Sequence, residues 1–165
     1  MAFLFFGNAT RRPYQTRRQI TIDAPAPIVW QAITSVEDFP SYQRCIIHSK
    51  VIQSDSERRP TAVIFEMDAM VRIVQYTLLY HYDKPGEKVS WRSEDSGSVA
   101  RVRGSMEVRP LLGDPGKSSL LFSIEITPAL PVPKYVRTAL ESTAVNHALE
   151  DLARHAQALA GTASA

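Results

Sequence analysis

Hydrophobic positions change their period three times along this chain. From Arg17 to Asp23, Ile20 and Ile22 alternate with polar residues, the pattern of a strand with one wet face. From Pro27 onward Ile28, Val29, Trp30, Ala32, Ile33 and Val36 crowd one side of a helix. Pro27 suits its first turn, and Pro40 restricts the residue before it and ends it. A short turn or helix through Ser41–Arg44 comes next. Alternation then returns for six strands. They span 46–53, 61–71 with Val63, Phe65, Met67 and Ala69 on one face, and 72–82 with Val74, Tyr76, Leu78, Tyr80 and Tyr82 on one face. Beyond these lie 88–94 with Val89 and Trp91, 99–109 with Ala100, Val102, Gly104, Met106 and Val108, and 118–127 with Leu120, Phe122, Ile124 and Ile126. Turns fall at 54–60, 83–86, 95–98 and 113–116. Met67–Val71 reads as a turn, a bulge or continuous strand. Residues 131–160 resume the helical period, with a stripe of Val136, Leu140, Ala144, Ala148, Leu152, Ala156 and Leu159 flanked by Val145 and Leu149. At ~1.5 Å per residue that helix is some 40 Å long, enough to cross a sheet.

The pattern defines an α+β fold. Seven strands with clean alternation form an antiparallel sheet with one wet face, two short helices lie between the first and second strands, and a long C-terminal helix closes the chain. One domain is expected over 17–160, with an arm at 1–16 and a tail at 161–165. A long helix laid on a curved sheet leaves room for a cavity. The inward alternation assigns its floor to Phe65, Met67, Tyr76, Leu78, Tyr80, Trp91, Met106, Phe122 and Ile124. The helix stripe adds Val136, Leu140 and Thr143.

Composition narrows the function classes. The chain has 165 residues, 44% of them hydrophobic and 22% charged, with a net charge of +2. That charge is too small to argue for nucleic acid as a partner. The single cysteine, Cys45, has no partner for an internal disulfide, and no Cys/His pair has metal-ligand spacing, so no metal and no cofactor are expected. No apolar run is long enough to span a bilayer. Residues 1–22 carry Arg11, Arg12, Arg17 and Arg18 with no acid, after the apolar run Ala2–Phe6. This order is the reverse of a secretory signal. It fits a loose arm, or a membrane-surface contact through the phenylalanines and arginines. A cytoplasmic protein, with peripheral membrane association as the variant, is the expectation; the residues leave monomer and homodimer equally open.

Chemistry is sparse. There is no nucleophile elbow, no zinc-protease motif, no P-loop and no dinucleotide loop. His48, His81, His147 and His155 lie apart. The tyrosines of the third strand are the best chemical candidates, because each joins apolar area to a hydroxyl that orients a ligand. The alternative is that they fill core space. Were the protein an enzyme, Tyr80 and His147 would be the catalytic candidates. Gly104 interrupts a good strand, which marks a bend or a close approach; sheet curvature is the expectation. Arg101, Arg103 and Arg109 alternate away from the apolar face as a solvated stripe.

Three passages carry a family resemblance: TIDAPAPIVWQAITSVEDFPSY (21–42), YHYDKPGEKVSWR (80–92) and PVPKYVRTALESTAVNHALEDLARHA (131–156). Their order and spacing resemble the START-like superfamily of polyketide cyclases and lipid-transfer proteins, over about residues 17–160. The resemblance implies a helix-grip fold, a curved seven-stranded sheet wrapped around the C-terminal helix with ligand held between them. It also implies a hydrophobic small-molecule partner. The function expected first is binding or transport of a lipid, polyketide or quinone-like molecule. A polyketide aromatase/cyclase is the alternative, and a membrane-associated quinone or lipid chaperone a further one. Some family cyclases place pocket arginines on the strands flanking the turn that here is Asp83–Gly86. This chain has Tyr80 and Ser93 there, and Arg92 belongs to the opposite face. The quinone-binding branch shares a short passage like Val36–Phe39 and a cysteine near Cys45.

Overall fold

The computed structural model describes residues 13–69, 73–94, 100–128 and 133–164. Seven antiparallel strands form one sheet: β1 (Tyr14–Ile22), β2 (Ile46–Ser54), β3 (Pro60–Asp68), β4 (Ile73–Lys84), β5 (Lys88–Ser93), β6 (Ala100–Leu111) and β7 (Asp114–Pro128). The spatial order is β1-β7-β6-β5-β4-β3-β2, so the long excursion from β1 to β2 separates the two edges. That excursion holds helix α1 (Ala26–Thr34), a 3-10 turn at Val36–Asp38 and the short helix α2 (Phe39–Tyr42). The C-terminal helix has three parts: α3 (Lys134–Thr138), a π-helical turn at Ala139–Ala144, and α4 (Val145–Ala163). This is the helix-grip architecture.

Helix α1 forms where Ile28 and Val29 donate their backbone N–H groups to the Pro25 carbonyl. It buries Ala26, Val29, Ala32 and Ile33, one face at helical spacing. The Ser118 hydroxyl, fully buried, donates to the Ala24 carbonyl at 2.6 Å and fastens the β1–α1 connection to β7. Helix α4 presents Val145, Leu149, Leu152 and Ala156 to the sheet, in the stripe the sequence predicts.

Several boundaries move. Strand β1 begins at Tyr14 rather than Arg17, and Tyr14 and Thr16 are buried, so the expected arm at 1–16 gives up its last residues to the sheet. Residues 1–12, the rest of that arm, lie outside the described residues, as do 70–72 of the soft β3–β4 boundary. Asp68 pairs with Ile73 across that hairpin. The turn expected at 113–116 is tighter. Leu111 pairs with Asp114, leaving Leu112 and Gly113 at the tip, and Gly113 takes φ +82°, where a side chain would be strained.

The helix expected to be regular from 131 to 160 is interrupted. Two hydroxyls take carbonyls in or beside the π turn: Ser142 donates to the Thr138 carbonyl at 2.8 Å, and Thr16 of β1 to that of Glu141 at 3.3 Å. Such side-chain bonds compete with the helical ladder. A π turn accommodates an extra residue and shifts the phase of the helix beyond it. Thr143, assigned to the cavity by a 3.6-residue period, lies within that turn and is exposed. The side chains of Val136 and Leu140 lie outside the described residues. Among the described residues, no helix is long and apolar enough to cross a membrane.

Candidate functional site

The concave side of the sheet carries two cores rather than one. The larger joins α1 and α4 to the sheet through residues such as Ile22, Val29, Val89, Val108, Leu120, Leu149 and Leu152. The smaller comprises Val36, Val63, Phe65 and Leu78. Tyr80 and Trp91 are only partly buried, and both pack against both cores. They bridge the two cores.

Strand register explains the grouping. Tyr80 pairs with Trp91, Trp91 with Gly104, Gly104 with Ile124, and Ile124 with Thr16, one continuous row across five strands. Gly104 has no side chain, and the Trp91 indole lies in the vacated space. A Cβ built at Gly104 would stand 2.4 Å from Cε2 and Cζ2 of Trp91 and 2.7 Å from Nε1. Gly104, expected to serve curvature, makes room for a neighbouring ring, the close-approach alternative for a strand glycine. From there the aromatic contacts spread. Trp91 lies 6.1 Å from Tyr80 and 6.2 Å from Phe122, ring centre to ring centre. Phe65 stacks on Tyr76 at 5.8 Å and on Phe39 at 6.0 Å.

This arrangement gives a direct test. Gly104→Ala should destabilise the protein. Removing a strand glycine gains up to about 1 kcal/mol. The methyl, however, overlaps three atoms of a rigid fused ring, and such overpacking costs about 1–3 kcal/mol. A lowered denaturation midpoint, restored in part by adding Trp91→Phe, is the expected result. A midpoint at or above the parent's would show that the indole is not seated on Gly104.

The hydroxyl groups are not equivalent. Tyr42 donates to the Ala32 carbonyl at 3.1 Å, Tyr82 to the Pro60 carbonyl at 3.0 Å, and Tyr76 contacts the Met67 sulfur at 3.7 Å. Tyr80 has no hydrogen-bond partner among the described residues. Burial pushes the pKa of Tyr76 and Tyr80 well up from the ordinary tyrosine value, and the phenols around Tyr80 add to its shift. Both remain protonated donors at neutral pH. Tyr82 separates from the other two. Its ring packs edge-on against Trp30 at 6.2 Å and lies under the Arg59 guanidinium at 5.0 Å, and burial raises its pKa to about 12.

Of the residues expected to line a cavity, the structure gathers Phe65, Met67, Tyr76, Leu78, Tyr80, Trp91, Met106, Phe122 and Ile124 on this face, in or against the two cores or, for Met67, against Tyr76. His147 is partly buried on α4, and no hydrogen bond or ring contact joins it to Tyr80 among the described residues. Ser93 is buried, and its hydroxyl accepts from the Val102 N–H at 3.0 Å, a strand-fixing role. Arg92, Arg101, Arg103 and Arg109 are exposed, as the alternation predicts.

Four neighbours carry no role in the sequence pattern. Phe39 and Tyr42 of α2 stand beside the aromatic face, with Tyr42 stacked on His155 of α4 at 3.9 Å and 6° between planes. Asp151, 2% exposed, accepts from the Arg44 backbone N–H at 3.0 Å and from its guanidinium at 2.7–3.2 Å. Gln43 donates to the Ala148 carbonyl at 3.1 Å. Together these contacts clamp the α2–β2 connection onto α4. The available signal was an acid directly before Leu152 and three residues after Ala148, beside the apolar stripe.

A curved seven-stranded antiparallel sheet gripping a long C-terminal helix, with two short helices between its first two strands, defines the START-like class. The family model for polyketide cyclase/dehydrase and lipid transport matches residues 14–160, and the chain belongs to that family. Among solved structures, a START superfamily protein from Mycobacterium smegmatis is similar at TM-score 0.79 and 14% identity, over 88% of this chain and 98% of that one. The Zhui aromatase/cyclase from a Streptomyces species is similar at TM-score 0.75 and 15% identity, over 88% and 94%. A Thermus thermophilus protein is similar at TM-score 0.67 and 17% identity, over 92% and 100%. These likenesses concern the fold. Comparison with the curated proteins found no match.

Proposed function

We propose that this protein binds and carries a lipophilic, aromatic small molecule between the sheet and the C-terminal helix. The observation that supports it is the split interior. Tyr80 and Trp91 join two cores without being sealed by either, and a concave, mostly apolar surface with a few hydroxyl groups is what such ligands need. Native mass spectrometry of protein purified from its own source tests the reading. A co-purifying hydrophobic molecule, released by denaturation, is the expected result. Protein that neither retains such a molecule nor takes up small aromatic probes would overturn it.

A second reading is a polyketide aromatase/cyclase, favoured by the family description and by the spare phenol of Tyr80. The pocket would then hold a poly-β-ketone in a reactive fold, and Tyr80 would donate to a carbonyl as it enolises. Incubation with a reactive poly-β-ketone separates the two. A carrier leaves the spontaneous product distribution unchanged. A cyclase alters its regiochemistry, and Tyr80→Phe restores the spontaneous pattern while the apolar ligand still binds.

A further inference from the structure

The sheet has a second face, turned away from both cores. The row Tyr80, Trp91, Gly104 and Ile124 faces inward, so the next residue along each strand faces outward. Register places Arg92 directly opposite Arg103, Arg103 opposite Glu125, and Glu125 opposite Gln15. In the adjoining outward row Ser90, Ser105 and Ser123 lie side by side, and Arg17 of β1 closes the row. Arg17, Arg92 and Arg103 are exposed. A shallow depression of about 300 Å³ lies between the two rows, with Arg103, Ser105 and Ser123 among its walls. We propose that this outer face docks on an anionic phospholipid bilayer, with the three guanidinium groups on lipid phosphates and the N-terminal arm entering the apolar layer. The inference is independent of what the inner face binds.

Three observations support it. The first is that this face holds unmatched guanidinium groups, whereas those elsewhere find acids. Arg44 and Arg154 pair with Asp151, Arg59 with Asp55, Arg109 with Glu107 and Arg137 with Glu141. Among the described residues no ion pair joins Arg17, Arg92 or Arg103 to an acid. Glu125, directly opposite Arg103, instead accepts from the Gln15 amide. The second is the Arg92–Arg103 pair itself. Like charges directly opposite one another destabilise a sheet, and an anion seated between them removes the repulsion. Guanidinium forks are suited to phosphate oxygens, and the serine hydroxyls beside them add donors. The third is the chain that leads into β1, which suits a bilayer rather than an acidic protein. Residues 1–12 hold the apolar run Ala2–Phe6 and then Arg11 and Arg12, with no acid, and Arg12 stands three residues before Gln15. Binding to a membrane surface grows with buried apolar area and with attraction to anionic lipid, and adjoining segments of this chain supply both.

The test is flotation of the full chain with phosphatidylcholine vesicles made with and without phosphatidylglycerol. The protein should float with the anionic vesicles and stay behind with the zwitterionic ones. Raising salt from about 0.1 M to about 1 M, which cuts the screening length from about 10 Å to about 3 Å, should release most of it. A basic residue at an anionic surface changes partitioning about fivefold, so Arg92→Gln combined with Arg103→Gln should weaken binding about 10–30-fold. Phe3→Ser combined with Phe5→Ser should weaken it at least about tenfold on the same vesicles. Both arginines are exposed and unpaired, so their double variant should melt no lower than the parent. Should it not fold, Arg92→Gln alone, with about a fivefold loss expected, takes its place. Equal flotation with both kinds of vesicle, flotation with neither, or parent-like binding by the arginine variant would overturn the inference. Capture by polyglutamate in preference to the anionic vesicles would also overturn it and assign the face to an acidic protein.

Discussion

Leu152→Asp is expected to abolish cooperative folding. Leu152 is 1% exposed at the middle of α4, packed in the core that α1, α4 and the sheet share. A carboxylate there has no cation to meet, and it comes directly after the buried carboxylate of Asp151. The unpaired charge costs several kcal/mol, and the lost apolar contacts add about 2–5 kcal/mol, as for a leucine cut to alanine. A domain of this size has roughly 5–15 kcal/mol in total. Circular dichroism should show no cooperative thermal transition at pH 7. Leu152→Ala should keep a transition, lowered by the cavity it leaves. A parent-like melt for Leu152→Asp would mean that α4 does not seat this face on the sheet.

The part of the structure that could be read in advance reflects the range of the interactions involved. Alternation is local, so β3, β4, β6 and β7 were legible with their correct faces; Phe65, Leu78, Val108 and Leu120 are buried as their positions require. Pro27 acts within a turn and framed the start of α1. Pro40, expected to end that helix, instead sits in the first turn of α2 after a helical Phe39, and α1 stops earlier, at Thr34. The interrupted C-terminal helix was not legible. One carbonyl of its π turn, that of Glu141, accepts from Thr16, 125 residues away, a contact no local pattern reports. The reason for Gly104 was hidden similarly, because a strand glycine reports that something is near but not which neighbour. Only register brings Trp91 over it. Pattern alone puts Phe39 at the end of the first helix and Tyr42 in a separate short turn; the structure joins them in α2, beside the aromatic face.

The candidate site therefore came out of the sequence as a face but not as an arrangement. Period assigned Tyr76, Tyr80 and Tyr82 to one side of β4. It could not show that Tyr82 packs on Trp30, or that of these three only Tyr80 has a hydroxyl with no partner among the described residues. Distinguishing them needs the partners at Pro60 and Met67, which lie in β3. The functional reading turns on that difference, since an engaged hydroxyl is a packing device and a spare one is a ligand contact.

Asp151→Ala should lower stability by about 2–3 kcal/mol at pH 7, the range for a buried acceptor of several charge-assisted hydrogen bonds whose cation retains access to water. The carboxylate is 2% exposed, whereas the Arg44 side chain is 46% exposed and can rehydrate when its partner is gone. The same pair sets an acid limb. Hydrogen bonds from the Arg44 side chain, and after them its backbone N–H and charge, hold the Asp151 carboxyl below the ordinary carboxylate range against the opposing effect of burial. A group whose pKa is depressed by folding stabilises the native state fully above its unfolded pKa, about 3.9, and loses that contribution as pH falls through the folded value. The parent's denaturation midpoint should accordingly decline as pH falls below about 4. Asp151→Ala should start lower and decline less steeply. Some slope should remain, because Asp55, held by the Arg59 backbone and side chain, is lowered as well. Equal acid slopes in parent and variant would show that the clamp between the α2–β2 connection and α4 does not depend on the ionised carboxylate.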